Sequence, residues 1–380
     1  MIISGGVLYL IMETPCLLLD KDRMERNISR LKDRLRSMGV KLRPHMKTAK
    51  SIEVGRVLME GTDGRITVST LKEAEQFARA GVTDMIYAVG ISPQKLARVH
   101  RIRSGGVQLK VILDSMEQAA AIARYVQETG DPIEVLIEID CDGHRSGVKF
   151  DDEETILSIA AAVRQGGGRL VGVLTHAGES YAAKSRSELV QAAERERYAV
   201  VSAAGILRAA GVDVSIVSVG STPTAHFAED LTGVTEVRAG VFVFFDLVMN
   251  GIGVCHINDI AISVLTTVIG HQAEKGWIIV DAGWMAMSRD LGMAGQDQGY
   301  GLVCDADGRL IDGLFMASAN QEHGILASRL GAGKLEEKYP VGTLLRVLPN
   351  HACATAAQYQ EYQVISGNRL SGTWSRFNGW

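Results

Sequence analysis

The feature that most constrains this chain is an alternation. Between about residue 40 and residue 246, eight short β-rich runs are separated by stretches of helical periodicity. The runs are 41–47 (KLRPHMK), 65–69 (RITVS), 85–89 (MIYAV), 109–114 (LKVILD), 133–140 (IEVLIEID), 170–176 (LVGVLTH), 214–220 (VSIVSVG) and 234–245 (VTEVRAGVFVFF). Most are continuously apolar, as strands are when both faces of their sheet are covered. The segments 71–81, 93–103, 115–127 and 152–165 space their apolar residues as helices do. Helices joining consecutive parallel strands follow, and eight such strands close a (β/α)8 TIM barrel. An open doubly wound sheet is the architectural alternative. The barrel is favoured because Lys47, Ser69, Asp140, His176, Gly220 and Asp246 fall at or just after the ends of their runs. That is the face on which barrels build active sites.

After about residue 250 the pattern changes. Runs 260–269, 276–281, 301–304, 344–348 and 362–365 read as strands set between Gly, Asp and Asn turns, with little helix. The α/β barrel is therefore expected at 25–248. A second, mainly β domain is expected from 1–24 plus 249–380, with 15–20 (PCLLLD) supplying an extra strand. At 380 residues, two domains are the natural expectation.

Composition excludes several function classes. The net charge is −4 and no long basic block occurs, which argues against nucleic acid and anionic membrane as partners. Cys16, Cys141, Cys255, Cys304 and Cys353 are odd in number and scattered, so no disulfide framework is suggested and a reducing cytoplasm is expected. The apolar start, 1–12, has no basic residue before it and no small-residue cleavage pattern after it, unlike a signal peptide. It is too short to span a bilayer, and Met12 is a second candidate start.

Two local patterns point to chemistry. In Arg43-Pro44-His45-Met46-Lys47-Thr48, a lysine at the end of the first barrel strand would reach into the mouth, where partial burial and the neighbours Arg43 and His45 would favour its neutral amine. A solvated surface lysine is the bland alternative. The turn 218–222 (SVGST) would offer backbone N–H groups and hydroxyls to an anion where barrels commonly bind phosphate; a simple helix cap is its alternative. Together the two suggest pyridoxal phosphate. In the β domain, His351 and Cys353 are two residues apart, so on a strand both would face one way. Imidazole plus thiolate suits zinc, and two protein ligands leave positions open, as a catalytic metal needs. A buried cysteine packed beside a histidine would look the same.

The motifs Thr14-Pro15, Arg43 to Thr48, Asp142-Gly143-His144-Arg145-Ser146-Gly147, His176-Ala177-Gly178, 218–222, Gln321-Glu322-His323-Gly324 and Pro349-Asn350-His351-Ala352-Cys353 occur in this order along nearly the whole chain. In them the chain resembles the fold-type III pyridoxal-phosphate enzymes related to alanine racemase, within the D-serine dehydratase and D-threonine aldolase family. Its overall pattern is most similar to the D-threo-3-hydroxyaspartate dehydratases. The resemblance implies an alanine racemase-like barrel plus β domain and a homodimer. It implies that Lys47 carries pyridoxal 5'-phosphate, that Arg145 approaches the cofactor's phenolic oxygen, and that Gly220, Ser221 and Thr222 form the phosphate turn. Tyr181 resembles a tyrosine near the ring, and Arg238 aligns with an arginine at the pyridine nitrogen. A bracing, salt-bridged arginine is the structural alternative for Arg145 and Arg238. His351 and Cys353 match the dehydratases' metal pair, whereas the aldolases carry His-x-Asp; zinc is named first, with manganese or another divalent ion as alternatives. The implied reaction is loss of water from a small D-3-hydroxy amino acid such as D-threo-3-hydroxyaspartate or D-serine, giving a 2-oxo acid and ammonia. An aldolase giving glycine and an aldehyde is the first alternative. A racemase would need no metal at the β-hydroxyl, and a non-catalytic cofactor-binding barrel would lack the β domain. His45, Glu322, His323 and Asp246 are further candidates to line the mouth.

Overall fold

The structure is a computed structural model that describes residues 12–292, 297–331, 333–367 and 369–380. The apolar start considered above, up to residue 11, lies outside the described residues. The chain forms two compact units, one of residues to Ile28 with Val241–Phe377, the other of Ser29–Gly240 with Asn378–Trp380.

The second of these is a parallel barrel. Its strands run in the order Lys41–Leu42, Glu236–Val237, Ile216–Val219, Arg169–Thr175, Glu134–Asp140, Gln108–Leu113, Asp84–Gly90 and Ile66–Val68. The two ends meet at a parallel bridge between His45 and Thr67, where Met46 N–H donates to the Thr67 carbonyl and Thr67 N–H to that of Pro44, both at 2.9 Å. This closure decides against the open sheet. Hydroxyl or carboxylate caps begin the helices soon after the strands. Thr70, Ser115, Asp152, Ser185 and Ser221 each accept the N–H three residues on, which satisfies a backbone donor the helix cannot pair itself. Ile86, Ile112, Leu136, Val171, Leu174 and Ile216 from five strands form a buried cluster.

The other unit is built on an antiparallel barrel of Ile262–Gln272, Trp277–Val280, Gly324–Ser328, Leu310–Ala319, Leu302–Asp305 and Leu344–Leu348, closed because the first two also pair. Cys16–Asp20 adds antiparallel to Ile262–Gln272 and parallel to Glu361–Ser366, and Arg369–Ser375 follows as an edge. Three of these strands have no counterpart among the expected runs. Leu310–Ala319 is broken by Asp312-Gly313 and by a register shift between Met316 and Ser318, so its apolar alternation is lost. Arg369–Ser375 is half exposed along its length and carries few apolar residues. Gly324–Ser328 is short, and the Gln321-Glu322-His323 motif is the exposed turn that precedes it.

The eighth barrel strand also differs from its expected 234–245 run. Only Glu236–Val237 pairs; Val241–Val243 is a 3-10 turn belonging to the other unit. The apolar run 241–245 is continuous because all five side chains are buried, not because they are strand. Among the described residues, no helix is long and apolar enough to cross a membrane, and no disulfide is formed.

Candidate active site

At the C-terminal end of the barrel strands, Lys47 sits in the turn that follows the His45 bridge, and it is exposed. The turn is held from beneath. Lys50 N–H donates to the Met46 carbonyl at 2.8 Å, and a Cβ on Gly240 would come within 3.0 Å of Thr48 Oγ1, so a side chain there would crowd the lysine turn. Arg43 does not act on Lys47 as the sequence suggested. Its buried guanidinium pairs with Glu236 at 2.8 Å and Asp84 at 2.8 Å, and Lys110 joins Asp84 at 3.1 Å, an internal network that fixes strand order.

Two imidazoles flank the lysine. His176 Nδ1 lies 2.5 Å from the Gly220 carbonyl, which can only accept, so Nδ1 carries the proton and Nε2 is the basic nitrogen. His45 is the opposite tautomer: its Nδ1 accepts the Lys47 N–H at 3.4 Å and its Nε2 faces Ser69 Oγ at 3.3 Å. Burial, then the charges of Lys47, Arg238 and Arg145, holds the His45 imidazole well below its usual range. Burial and Lys47 bring His176 down to about 3. Both rings are neutral at physiological pH, first because desolvation disfavours their charged form and then because the neighbouring charges are cationic.

Arg145 lies on a loop whose shape is set by Asp140 and Gly147. Asp140 Oδ1 accepts the N–H groups of Asp142 and Gly143 at 3.1 and 2.7 Å. Gly147 has φ +120, and a Cβ there would meet Asp140 N at 2.5 Å. The Arg145 side chain stays half exposed and reaches Glu138 at 3.5 Å. Burial raises the Glu138 carboxyl despite that arginine. Arg238 is buried, with Nη1 on Ser218 Oγ at 2.6 Å and Nη2 on the Thr175 carbonyl at 2.5 Å. Two of its donors therefore bind neighbouring strands. Tyr181, in the 3-10 turn Gly178–Ala182, places its ring 6.2 Å from that of His176.

The Gly220, Ser221 and Thr222 turn is tighter than the sequence indicated. Ser221 caps the short helix Thr222–Phe227, and its hydroxyl also meets Ser180 Oγ and Thr224 Oγ1, each at 2.9 Å. Gly220 packs so closely on Arg238 that a Cβ would sit 2.0 Å from the Arg238 carbonyl oxygen. Behind the turn is Glu196, which sequence reasoning missed. It accepts the N–H groups of Ala177 and Gly220 at 3.0 and 2.9 Å and the Thr224 hydroxyl at 2.6 Å, so one buried carboxylate joins the ends of two strands. Burial raises its carboxyl above the usual range. Its signal was present in the sequence: an acid on the apolar stripe of Leu189, Ala192, Ala193, Ala199, Val200 and Ala203 in Arg186–Ala209.

In the β unit, the expected strand for His351 and Cys353 is not there. His351 is the N-cap of the helix Ala352–Ala356, with φ −129 and ψ 107, and Cys353 is inside it. The two side chains nonetheless touch through a hydrogen bond. His351 Nδ1 also lies 2.6 Å from Asp290 Oδ2. Asp246 anchors the segment by accepting Ala352 N–H and Met249 N–H, each at 2.9 Å, so it serves the metal candidates and not the end of a barrel strand. Burial alone would lower the His351 imidazole, but Cys353 and Asp290 push it up to about 10. Burial raises the Asp246 carboxyl. Asp290 is lowered, because the hydrogen bonds from His351 and Gly292 outweigh its burial. Among the described residues, no cluster of three or more His, Cys, Asp and Glu side chains converges as a metal cage. The pair fits an ion with open positions: a thiol, an imidazole whose Nδ1 is taken by a carboxylate, and an electronegative setting. The barrel cluster likewise fits an anionic cofactor that needs an amine, since Lys47 and Arg145 are exposed cations beside neutral imidazoles.

Comparison with known proteins also matches two separate stretches of the chain. Residues 19–248 match the family model for the alanine racemase N-terminal domain, and 261–365 that for a putative serine dehydratase domain. The chain is 55% identical to D-threo-3-hydroxyaspartate dehydratase of Delftia sp. (strain HT23), covering 98% of this chain and 99% of that protein. It is 28% identical to a D-serine dehydratase of Dictyostelium discoideum, over 94% of each. Among solved structures, a cysteine-to-alanine mutant of a D-threo-3-hydroxyaspartate dehydratase in its metal-free form superposes with a TM-score of 0.96 and 54% identity, covering 99% of this chain and 100% of that one. The chain therefore belongs to the family that joins an alanine racemase N-terminal domain to a serine dehydratase domain.

Proposed function

We propose that this protein is a lyase that removes water from D-3-hydroxy amino acids, with D-threo-3-hydroxyaspartate first and D-serine second, giving a 2-oxo acid and ammonia. Its cofactors are pyridoxal 5'-phosphate on Lys47 and a divalent metal, zinc before manganese, on His351 and Cys353. The observation that carries the reading is the Cys353 thiol against His351, in a chain alike over its full length to a dehydratase. When bound, the cofactor supplies an electron sink at the substrate's α-carbon and the metal a Lewis acid for its β-hydroxyl.

The chain's own residues then have these parts. Lys47 Nζ would hold the cofactor, and its amine, when free, would serve as the base for the substrate's α-proton. Arg145 would face the cofactor's phenolic oxygen, and the Gly220, Ser221 and Thr222 turn would hold its phosphate, although the Ser221 hydroxyl and the Gly220 N–H already have protein partners. Tyr181 would lie near the ring. Arg238 would offer a remaining donor to the pyridine nitrogen, with two of its donors already on Ser218 and Thr175. His351 and Cys353 would hold the metal that polarises the hydroxyl. A homodimer in a reducing cytoplasm, without nucleic acid or membrane partners, completes the proposal; family resemblance and the scattered cysteines support it.

The test is ammonia release by the cofactor-loaded full chain from D-threo-3-hydroxyaspartate, D-serine and D-threonine, with and without a chelator. The expected result is ammonia with a 2-oxo acid, fastest from D-threo-3-hydroxyaspartate, lost on chelation and restored by zinc or manganese. Glycine and an aldehyde as products, or turnover that survives chelation, would overturn it.

A further inference from the structure

A carboxylate only accepts, so the 2.6 Å contact between Asp290 Oδ2 and His351 Nδ1 puts the proton on Nδ1 and reserves Nε2 as the ring's donor nitrogen. From this geometry we propose that Asp290 is a positioning residue for the metal: it fixes the tautomer and orientation of His351 so that Nε2 binds the ion beside Cys353. This rests on the metal reading above and assigns a residue to it from outside the His-x-Cys motif.

The Asp290 loop is shaped for that contact. Ser288 holds φ +77, which side-chain-bearing residues rarely adopt, and its N–H donates to the Trp284 carbonyl at 2.8 Å. Asp290 N–H then reaches Ser288 Oγ at 3.1 Å, and Gly292 N–H reaches Asp290 Oδ1 at 2.9 Å, so the carboxylate has one oxygen pinned by its own loop and the other left for the imidazole. Gly292 has φ +77, and a Cβ there would lie 2.6 Å from Val248 Cγ2. On the opposite side, the Thr355 hydroxyl donates to the Met287 carbonyl at 2.7 Å, tying the helix that carries Cys353 to the segment that leads into this loop. Ring and thiol are thus held from both directions. A purely structural explanation is weak, because the Asp290 and His351 side chains are 43% and 41% exposed and an ion pair that open to water adds little stability. Carboxylates behind metal-binding imidazoles set ligand orientation and basicity instead.

The test is a zinc titration of the chelator-stripped, cofactor-loaded full chain against a competing chelator, for the wild type, Asp290→Asn and Asp290→Ala. Asp290→Ala should weaken zinc binding by about 10- to 100-fold. Asp290→Asn, which keeps an acceptor for Nδ1–H but not the charge, should fall between the two. Cofactor absorbance and the melting temperature of the metal-free protein should not move. Zinc affinity equal to wild type in Asp290→Ala would overturn the inference alone, as would a loss of affinity matched by a fall in the metal-free melting temperature. A wild type that binds zinc no better than His351→Ala would overturn the metal reading itself, and this inference with it.

Discussion

The same side chain meets opposite surroundings in the two units. In the barrel, His45 and His176 are half-buried beside Lys47, Arg145 and Arg238, and both are driven below the usual imidazole range by desolvation and by those cations. In the β unit, His351 stands among Cys353, Asp290 and Asp246 and is pushed up to about 10. Burial lowers all three, so the sign of the neighbouring charges decides the outcome. A cationic cluster is suited to an anionic, phosphorylated cofactor, and an anionic one to a divalent ion. Each unit is thus matched in charge to one of the two groups that the proposed reaction requires.

That contrast can be broken in graded steps. The largest effect is expected from Lys47→Ala: cofactor absorbance should disappear and ammonia release should fall by about 10⁴-fold or more, while metal content stays at the wild-type level. Next, His351→Ala should keep the cofactor spectrum but lose the metal and about 10³-fold in turnover, because a Lewis acid contributes several kcal/mol to the departure of a poor leaving group. Either variant losing both groups together would erase the distinction. A smaller effect should follow Glu196→Ala, which strands the donors of Ala177, Gly220 and Thr224; chemical denaturation should show a loss of about 2–3 kcal/mol, and Glu196→Gln a smaller one.

The last effect concerns acid stability. The His176 pKa falls from 6.5 in the unfolded chain to about 3 when folded. Between those values the unfolded state binds a proton that the folded state does not, so stability present above 6.5 is lost as pH falls towards 3. The slope is at most about 1.4 kcal/mol per pH unit for each such imidazole. His176→Asn should flatten the acid limb of the denaturation profile of the cofactor-free protein. An acid limb unchanged in His176→Asn would contradict the lowered His176 imidazole.

How far all this could be read in advance differs between the units for physical reasons. The barrel strands buried on both faces announce themselves as continuous apolar runs, and their helix caps as Ser, Thr or Asp, so the order of elements was legible. The run 234–245 misled because burial, not pairing, makes it apolar. The half-exposed strands Leu310–Ala319 and Arg369–Ser375 carry no such signal, since bulges and polar faces erase the alternation. In the site, Lys47, His351 and Cys353 stand in short motifs, and Glu196 was readable as an acid on an apolar stripe. Asp290 was not, because its partner is 61 residues away and only a loop with a left-handed serine brings them together. The His-x-Cys pair was found through a strand argument that does not hold; an N-cap and the helix behind it bring the two side chains into contact.

Cofactor absorbance and metal content measured on one preparation of Cys353→Ala test the division of labour most directly. The account predicts a full complement of pyridoxal phosphate and a metal content near zero. Metal retained at the wild-type level, or cofactor lost along with it, would contradict the assignment of one charge-matched group to each unit.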